Sequence, residues 1–125
     1  MNQPVREGGC GCGQIRFQAA GEPRFVANCH CADCRRATSA AFSTWAGFSD
    51  DQLTWHGERR EYASSPGVKR GFCGICGTPL SYQGSKWPGE THILVGAFDK
   101  PEAFTPSCDV FVDDALSWAR PAARD

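Results

Sequence analysis

Residues 29–36 read CHCADCRR, which places Cys29, Cys31 and Cys34 within six positions and follows them with Arg35 and Arg36. Two other stretches repeat the theme: CGCG carries Cys10 and Cys12, and FCGICGT carries Cys73 and Cys76. Cys108 stands alone. Thiols this dense serve disulfides, metal binding or redox exchange, and the compartment decides among them. The opening MNQPVREGG lacks the charged and apolar regions of a secretory signal, and no run approaches the roughly 18 apolar residues that cross a bilayer. A cytoplasmic, reducing location is therefore expected, and there paired cysteine spacings point to metal.

Zinc takes thiolates tetrahedrally at about 2.3 Å, and a C-x-x-C turn offers two from one tight loop. The glycines Gly13, Gly74 and Gly77 stand where such turns need backbone amides to face sulfur. Seven clustered cysteines divide into four and three. One site would then be closed, like a structural zinc, and the other would lack one protein ligand, like a catalytic zinc. Spacing alone leaves the division open, because Cys31 and Cys34 would also pair with Cys73 and Cys76 in a two-knuckle ribbon. That choice would leave Cys10, Cys12 and Cys29 over.

The elements that must hold these ligands fit one domain of 125 residues. It is expected over 8–119, with flexible tails at 1–7 and 120–125. Hydrophobic content of 41% and charged content of 22% are those of a globular chain rather than a disordered one. Thirteen basic against fourteen acidic residues leave a net charge of −1, so no positive field exists to attract nucleic acid or an anionic membrane. In GQIRFQAAG, alternation puts Ile15, Phe17 and Ala19 on one face. LTWHG, PLSYQ, HILVGAF and DVFVDD continue the style, bounded by Gly, Pro and Asp, and predict an antiparallel, all-β domain. A helical turn is expected at CADCRRATSA and another turn at DDALSWAR. SSPG at 64–67 and YQGSKWPGE at 82–90 read as loops, the second carrying Trp87.

The ordered set GGCGCGQIRF, NCHCADCRRATSAAFSTWAGF, RGFCGICGTPLSY and HILVGAFDKPEAF, ending at Trp118, resembles the glutathione-dependent formaldehyde-activating enzyme family of zinc proteins. The likeness covers residues 8–118. It implies a β-tent fold, small coiled antiparallel sheets stapled by zinc with little helix. It also implies the division that spacing leaves open: Cys10, Cys12, Cys73 and Cys76 around a structural zinc, and Cys29, Cys31 and Cys34 around a catalytic one. Two zinc ions per chain follow, with a glutathione-like thiol and an aldehyde as partners.

Three thiolates around one divalent ion leave a net negative charge, so such a site acidifies water less than three imidazoles would. A thiol is the better fourth ligand, since metal keeps it ionised yet nucleophilic. Its addition to an aldehyde gives a hemithioacetal, as in the family's formation of S-(hydroxymethyl)glutathione. Carbon–sulfur lyase or synthase chemistry on thiol–aldehyde adducts is the resulting expectation. Arg35 and Arg36 would meet carboxylates of the thiol, or else stand as solvated surface residues; Trp45, Phe42 and Phe72 would wall the pocket, although aromatics at strand spacing are more often core. His30 is expected to point away from the metal, His56 and His92 to pack in strands, and Cys108 to be a small buried apolar group. Relatives commonly carry a histidine where PSCDVFV has Asp109, which implies a different substrate if that histidine serves catalysis. The alternative is a non-catalytic, zinc-stabilised binding module. A thiol redox protein would need metal-free C-x-x-C pairs, usually on a βαβ scaffold that the pattern lacks.

Overall fold

Residues 3–119 are described by a computed structural model, and their strands form two open sheets. β1 (Val5–Gly9), β2 (Arg16–Ala20) and β5 (Leu53–His56) make a small antiparallel sheet with β2 in the middle. β3 (Phe25–Cys29), β4 (Ser43–Ser49), β6 (Arg60–Ser65), β7 (Val68–Phe72), β8 (Pro79–Gly84), β9 (Glu90–Leu94) and β10 (Cys108–Val110) make the larger one. Its order is β10-β3-β4-β9-β8-β7-β6. Among the described residues one α-helix is present, α1 (Ala32–Thr38), so the architecture is all-β with little helix, as expected.

Alternation along β2 works as read: Ile15, Phe17 and Ala19 are buried, and the Phe17 ring meets Trp55 and Phe98 at centroid distances of 5.1 Å each. The same period divides β4, which faces two ways. Ala46 and Phe48 join Phe17, Leu80, Ile93 and Phe98 in the main core, whereas Trp45 lies with Cys29 and Cys34 in a second cluster. Register extends this second face across the sheet. Phe25 is opposite Gly47, Gly47 opposite His92, His92 opposite Tyr82, and Tyr82 opposite Arg70. The row is packed ring on ring, with Phe25 edge-on to His92 at 4.8 Å and His92 stacked on Tyr82 at 5.4 Å. Gly47 is required there, because a Cβ at that point would collide with the Phe25 ring.

Five expectations need correction. Val5–Gly9, assigned in part to a tail, pairs throughout with β2 and is ordered by that ladder. β10 runs parallel to β3, so the large sheet is mixed rather than antiparallel. The DVFVDD strand stops at Val110, where Phe111 takes a left-handed φ of 56° and a 3-10 turn (Val112–Asp114) follows. Cys108 is exposed on the edge strand rather than buried. Likewise HILVGAF is strand only to Leu94 and then turns through Val95–Ala97. SSPG does link two strands, β6 and β7, and Trp87 lies half-exposed in the loop after β8. The proposed tail at 120–125 lies outside the described residues.

Candidate metal and active site

Each hairpin end that carries a cysteine pair is a tight knuckle. After β1, the Gly13 amide donates to the Cys10 carbonyl at 3.1 Å, and the turn closes with Gly13 at φ 80°. After β7, the Gly77 amide donates to the Cys73 carbonyl at 2.8 Å, with Gly77 at φ 83°. Such positive φ values suit glycine, which has no Cβ to clash. The Gly11 amide donates to Thr78 Oγ1 at 3.0 Å and so ties the two knuckles together. Their four sulfurs, from Cys10, Cys12, Cys73 and Cys76, all lie within 4.8 Å of one another.

The second group is built by the end of β3 and the start of α1. Cys31 caps the helix, its sulfur accepting from the Cys34 amide at 3.3 Å. The helix closes at Ser39, which is left-handed at φ 53° and donates its amide to the Arg35 carbonyl. Thr38 and Ser43 hydroxyls both donate to the Cys34 carbonyl, at 3.0 and 3.1 Å, and fasten α1 to β4. Cys29, Cys31 and Cys34 thereby converge within 4.8 Å, and no fourth His, Cys or carboxylate joins them among the described residues.

Both groups fit a tetrahedral thiolate ion. With bonds of about 2.3 Å, a zinc tetrahedron has sulfur–sulfur edges of roughly 3.8 Å. The separations here are 3.6 Å for Cys10–Cys12, 3.7 Å for Cys12–Cys73 and 3.5 Å for Cys29–Cys31, far beyond a disulfide. All eight cysteines are free. Backbone amides also face the sulfurs: Ile15 N to Cys10 at 3.2 Å, and Ile75 N and Cys76 N to Cys73 at 3.4 Å each. The Cys76 thiol is lowered to about 5, chiefly by hydrogen bonding to the Thr78 hydroxyl. In the trio, Cys34 is lowered to about 6, first by a hydrogen bond from Cys29, against burial, and then by Cys31 and Arg70. Cys29 is pushed up by that same hydrogen bond and by burial. Arg70 beside Cys34 favours negative charge there, whereas burial and mutual repulsion oppose ionising all three thiols without a cation.

His30, between two of these cysteines, is fully buried and points to Asp109, Nε2 to Oδ1 at 2.7 Å. It takes no place in the sulfur cluster. The parallel pairing of β10 with β3 sets Asp109 opposite Asn28 and brings the His30 amide to the Val110 carbonyl at 3.1 Å. Asp109 thus partners the histidine of the ligand turn.

The other expected site residues separate. Trp45 and Phe72 line a cleft of about 380 Å³, together with Ala37, Arg70 and Leu94. Phe42 packs instead on His30, 5.2 Å between centroids. Arg35 and Arg36 line a different groove with Leu116 and Trp118. Arg35 Nη1 donates to the carbonyls of His30 at 2.8 Å and Asp114 at 2.6 Å, so it buttresses the chain behind the ligand turn. Sequence reasoning missed Arg70, whose guanidinium lies under the cleft beside Cys34. A usable signal existed in its position, three residues before Cys73 on a strand that ends at a knuckle.

A sequence model described as glutathione-dependent formaldehyde-activating enzyme matches residues 5–114. No curated protein matches the chain. Among solved structures, a crystallographically determined protein of Rhodobacter sphaeroides is similar over 83% of this chain and 99% of its own, with a TM-score of 0.67 and 21% identity. That likeness is one of fold.

Proposed function

We propose, from the premise that this chain belongs to the glutathione-dependent formaldehyde-activating enzyme family, that it is a zinc-dependent carbon–sulfur lyase or synthase acting on thiol–aldehyde adducts such as S-(hydroxymethyl)glutathione. The observation that supports it most is a pair of unequal thiol clusters: four sulfurs that close a site, and three that lack a fourth and pack against Trp45, a wall of the cleft. Cys10, Cys12, Cys73 and Cys76 would hold a structural zinc, and Cys29, Cys31 and Cys34 a catalytic one. A zinc ion in the second cluster would supply the charge that keeps an incoming thiol ionised near neutral pH.

The chain's own residues do the rest. Cys31 is the half-buried member of the trio, between buried Cys29 and Cys34. Trp45 is buried against the cluster and offers an apolar wall that limits water around a small aldehyde. Loss of water favours addition, since formaldehyde competes between hydration and thiol attack. Arg35 and Arg36 would reach thiol carboxylates only from the groove on another part of α1.

The test is exchange between formaldehyde and glutathione, followed by nuclear magnetic resonance with the intact protein. The wild-type chain should accelerate it and carry two zinc ions, and Cys31→Ser should abolish the acceleration while keeping the fold. Exchange that is unaffected by Cys31→Ser would sink the mechanism. The binding-module reading draws on Phe111 at 65% and Trp118 at 75% exposure, two aromatic rings presented to solvent. It predicts no acceleration by any form of the protein.

A further inference from the structure

β7 carries a charged side chain in a place where charges are rarely buried. Arg70 is only 6% exposed, and no carboxylate pairs with it among the described residues. The nearest acid on the neighbouring strand, Glu61, faces Lys69 instead, at 3.8 Å. The guanidinium is nonetheless fixed on three sides. Its Nε donates to Ser64 Oγ at 3.0 Å, its Cζ lies 5.2 Å from the Tyr82 ring centroid, and Nη2 lies 4.0 Å from Cys34 Sγ. The last nitrogen, Nη1, is buried without a hydrogen-bond partner, on a side chain that lines the cleft with Trp45 and Leu94. A buried donor left unmatched loses free energy in the resting protein, so its use lies with something that enters.

We propose that Arg70 is a catalytic residue, the donor to the oxygen that becomes negative as the carbon–sulfur bond forms. The inference rests on reading the three-cysteine cluster as the end that holds the thiol. In that step the thiolate sulfur bonds to the aldehyde carbon, and the C=O π pair moves onto oxygen. That oxygen then takes a proton from water, replacing the one the thiol released, so that thiol and aldehyde sum to the hemithioacetal. In the reverse direction the same oxygen regenerates the carbonyl as the C–S bond breaks. An adduct oxygen is separated from its sulfur by one carbon. A guanidinium whose Nη2 lies 4.0 Å from one sulfur of the cluster is therefore placed near it. Arginine stays charged throughout, so it stabilises the oxyanion without giving up a proton. Its anchors at Ser64 and Tyr82 hold it in place before the charge appears, and such preorganised donors act strongly in a cleft with apolar walls. The same geometry selects thiols that carry an oxyanion close to sulfur.

The experiment compares wild-type, Arg70→Gln and Arg70→Lys full-length protein, each loaded with zinc and matched for metal content and thermal midpoint. Removing one such donor should lower kcat for the exchange about 10²- to 10³-fold and leave KM for glutathione within about threefold. Arg70→Lys should recover part of the loss. A second readout needs no turnover: calorimetric titration with mercaptoacetate and with its neutral methyl ester. Wild type should prefer the carboxylate by roughly tenfold, the size of a charge-assisted hydrogen bond, and Arg70→Gln should lose that preference. Wild-type exchange that Arg70→Gln leaves intact would overturn the inference alone, as would an unchanged carboxylate preference. A wild-type protein that fails to accelerate exchange, yet prefers mercaptoacetate through Arg70, would instead refute the formaldehyde reading and keep Arg70 as an oxyanion receptor. Should Arg70→Gln not fold, Arg70→Lys carries the comparison, because lysine lacks the second nitrogen needed to span Cys34 and the adduct. Equal kcat in Arg70→Lys and wild type would then overturn the inference.

Discussion

At the scale of single residues, the ligand turn depends on a buried pair that sulfur spacing does not reveal. His30 and Asp109 have side chains 0% and 2% exposed, and they meet at 2.7 Å. Cutting Asp109 to alanine leaves His30 Nε2 without its partner in the interior, at a cost of about 1–3 kcal/mol. His30 is itself no ligand, but it stands between Cys29 and Cys31, so its partner holds the shape of the ligand turn. Asp109→Ala is therefore expected to lower the urea midpoint and to weaken metal uptake by the three-cysteine cluster, while the four-cysteine cluster keeps its metal. Asp109→Asn retains an acceptor and should recover most of the stability. A competitive chelator titration that finds both clusters unchanged in Asp109→Ala would assign the pair to packing alone. Arg35 belongs to the same layer, since its guanidinium holds the backbone of His30 and of Asp114 together.

Elements show which parts of this arrangement were legible in the sequence. β2 was plain because only one of its faces is buried, so Ile15, Phe17 and Ala19 keep a clean alternation. β4 was not, because STWAGFS is covered on both sides and reads as a nearly continuous buried run. Its two faces serve two clusters, and only register across β3, β9 and β8 tells which side chains reach the cysteines. Arg70 was only half legible: its place just before a knuckle is local, but its burial is not, because its neighbours Tyr82 and Ser64 come from adjoining strands. The knuckles and α1 were readable because their signals are local: paired cysteines with a following glycine in the first, and Asp33 ahead of Arg35 and Arg36 in the second. The transverse row also titrates. Burial lowers His92, against a smaller opposing effect of Glu90 3.1 Å away, so the folded state resists its protonation. With a folded-state value below 6.5, its contribution to stability is complete above about pH 6.5 and declines as pH falls, until the folded value is passed. The fall in urea midpoint between pH 7.5 and 5.5, measured with zinc in excess, should be smaller in His92→Gln than in wild type. An equal fall would place the titrating group elsewhere.

Over the whole molecule, the two clusters have different mechanical positions. Cys29, Cys31 and Cys34 sit on one sheet and the helix that follows it, so metal there joins segments that α1 and β4 already hold together. Cys10 and Cys12 belong to the small sheet, whereas Cys73 and Cys76 end a hairpin of the large one, and the link spans 61 residues between Cys12 and Cys73. Metal in that cluster would close a long loop and fix one sheet on the other. A structural zinc there would carry on the order of 10 kcal/mol of apparent folding free energy near neutral pH. Whole domains are stable by only about 5–15 kcal/mol, so the aromatic core of Phe17, Phe48 and Phe98 stands little chance of holding the sheets without it. Cys76→Ser should therefore abolish the cooperative thermal transition and lose zinc, while Cys31→Ser keeps the transition with one zinc fewer per chain. Calorimetry alongside metal analysis distinguishes the two. A wild-type midpoint in Cys76→Ser would mean that packing between the sheets is sufficient, and that the four-cysteine cluster has a role other than holding the fold.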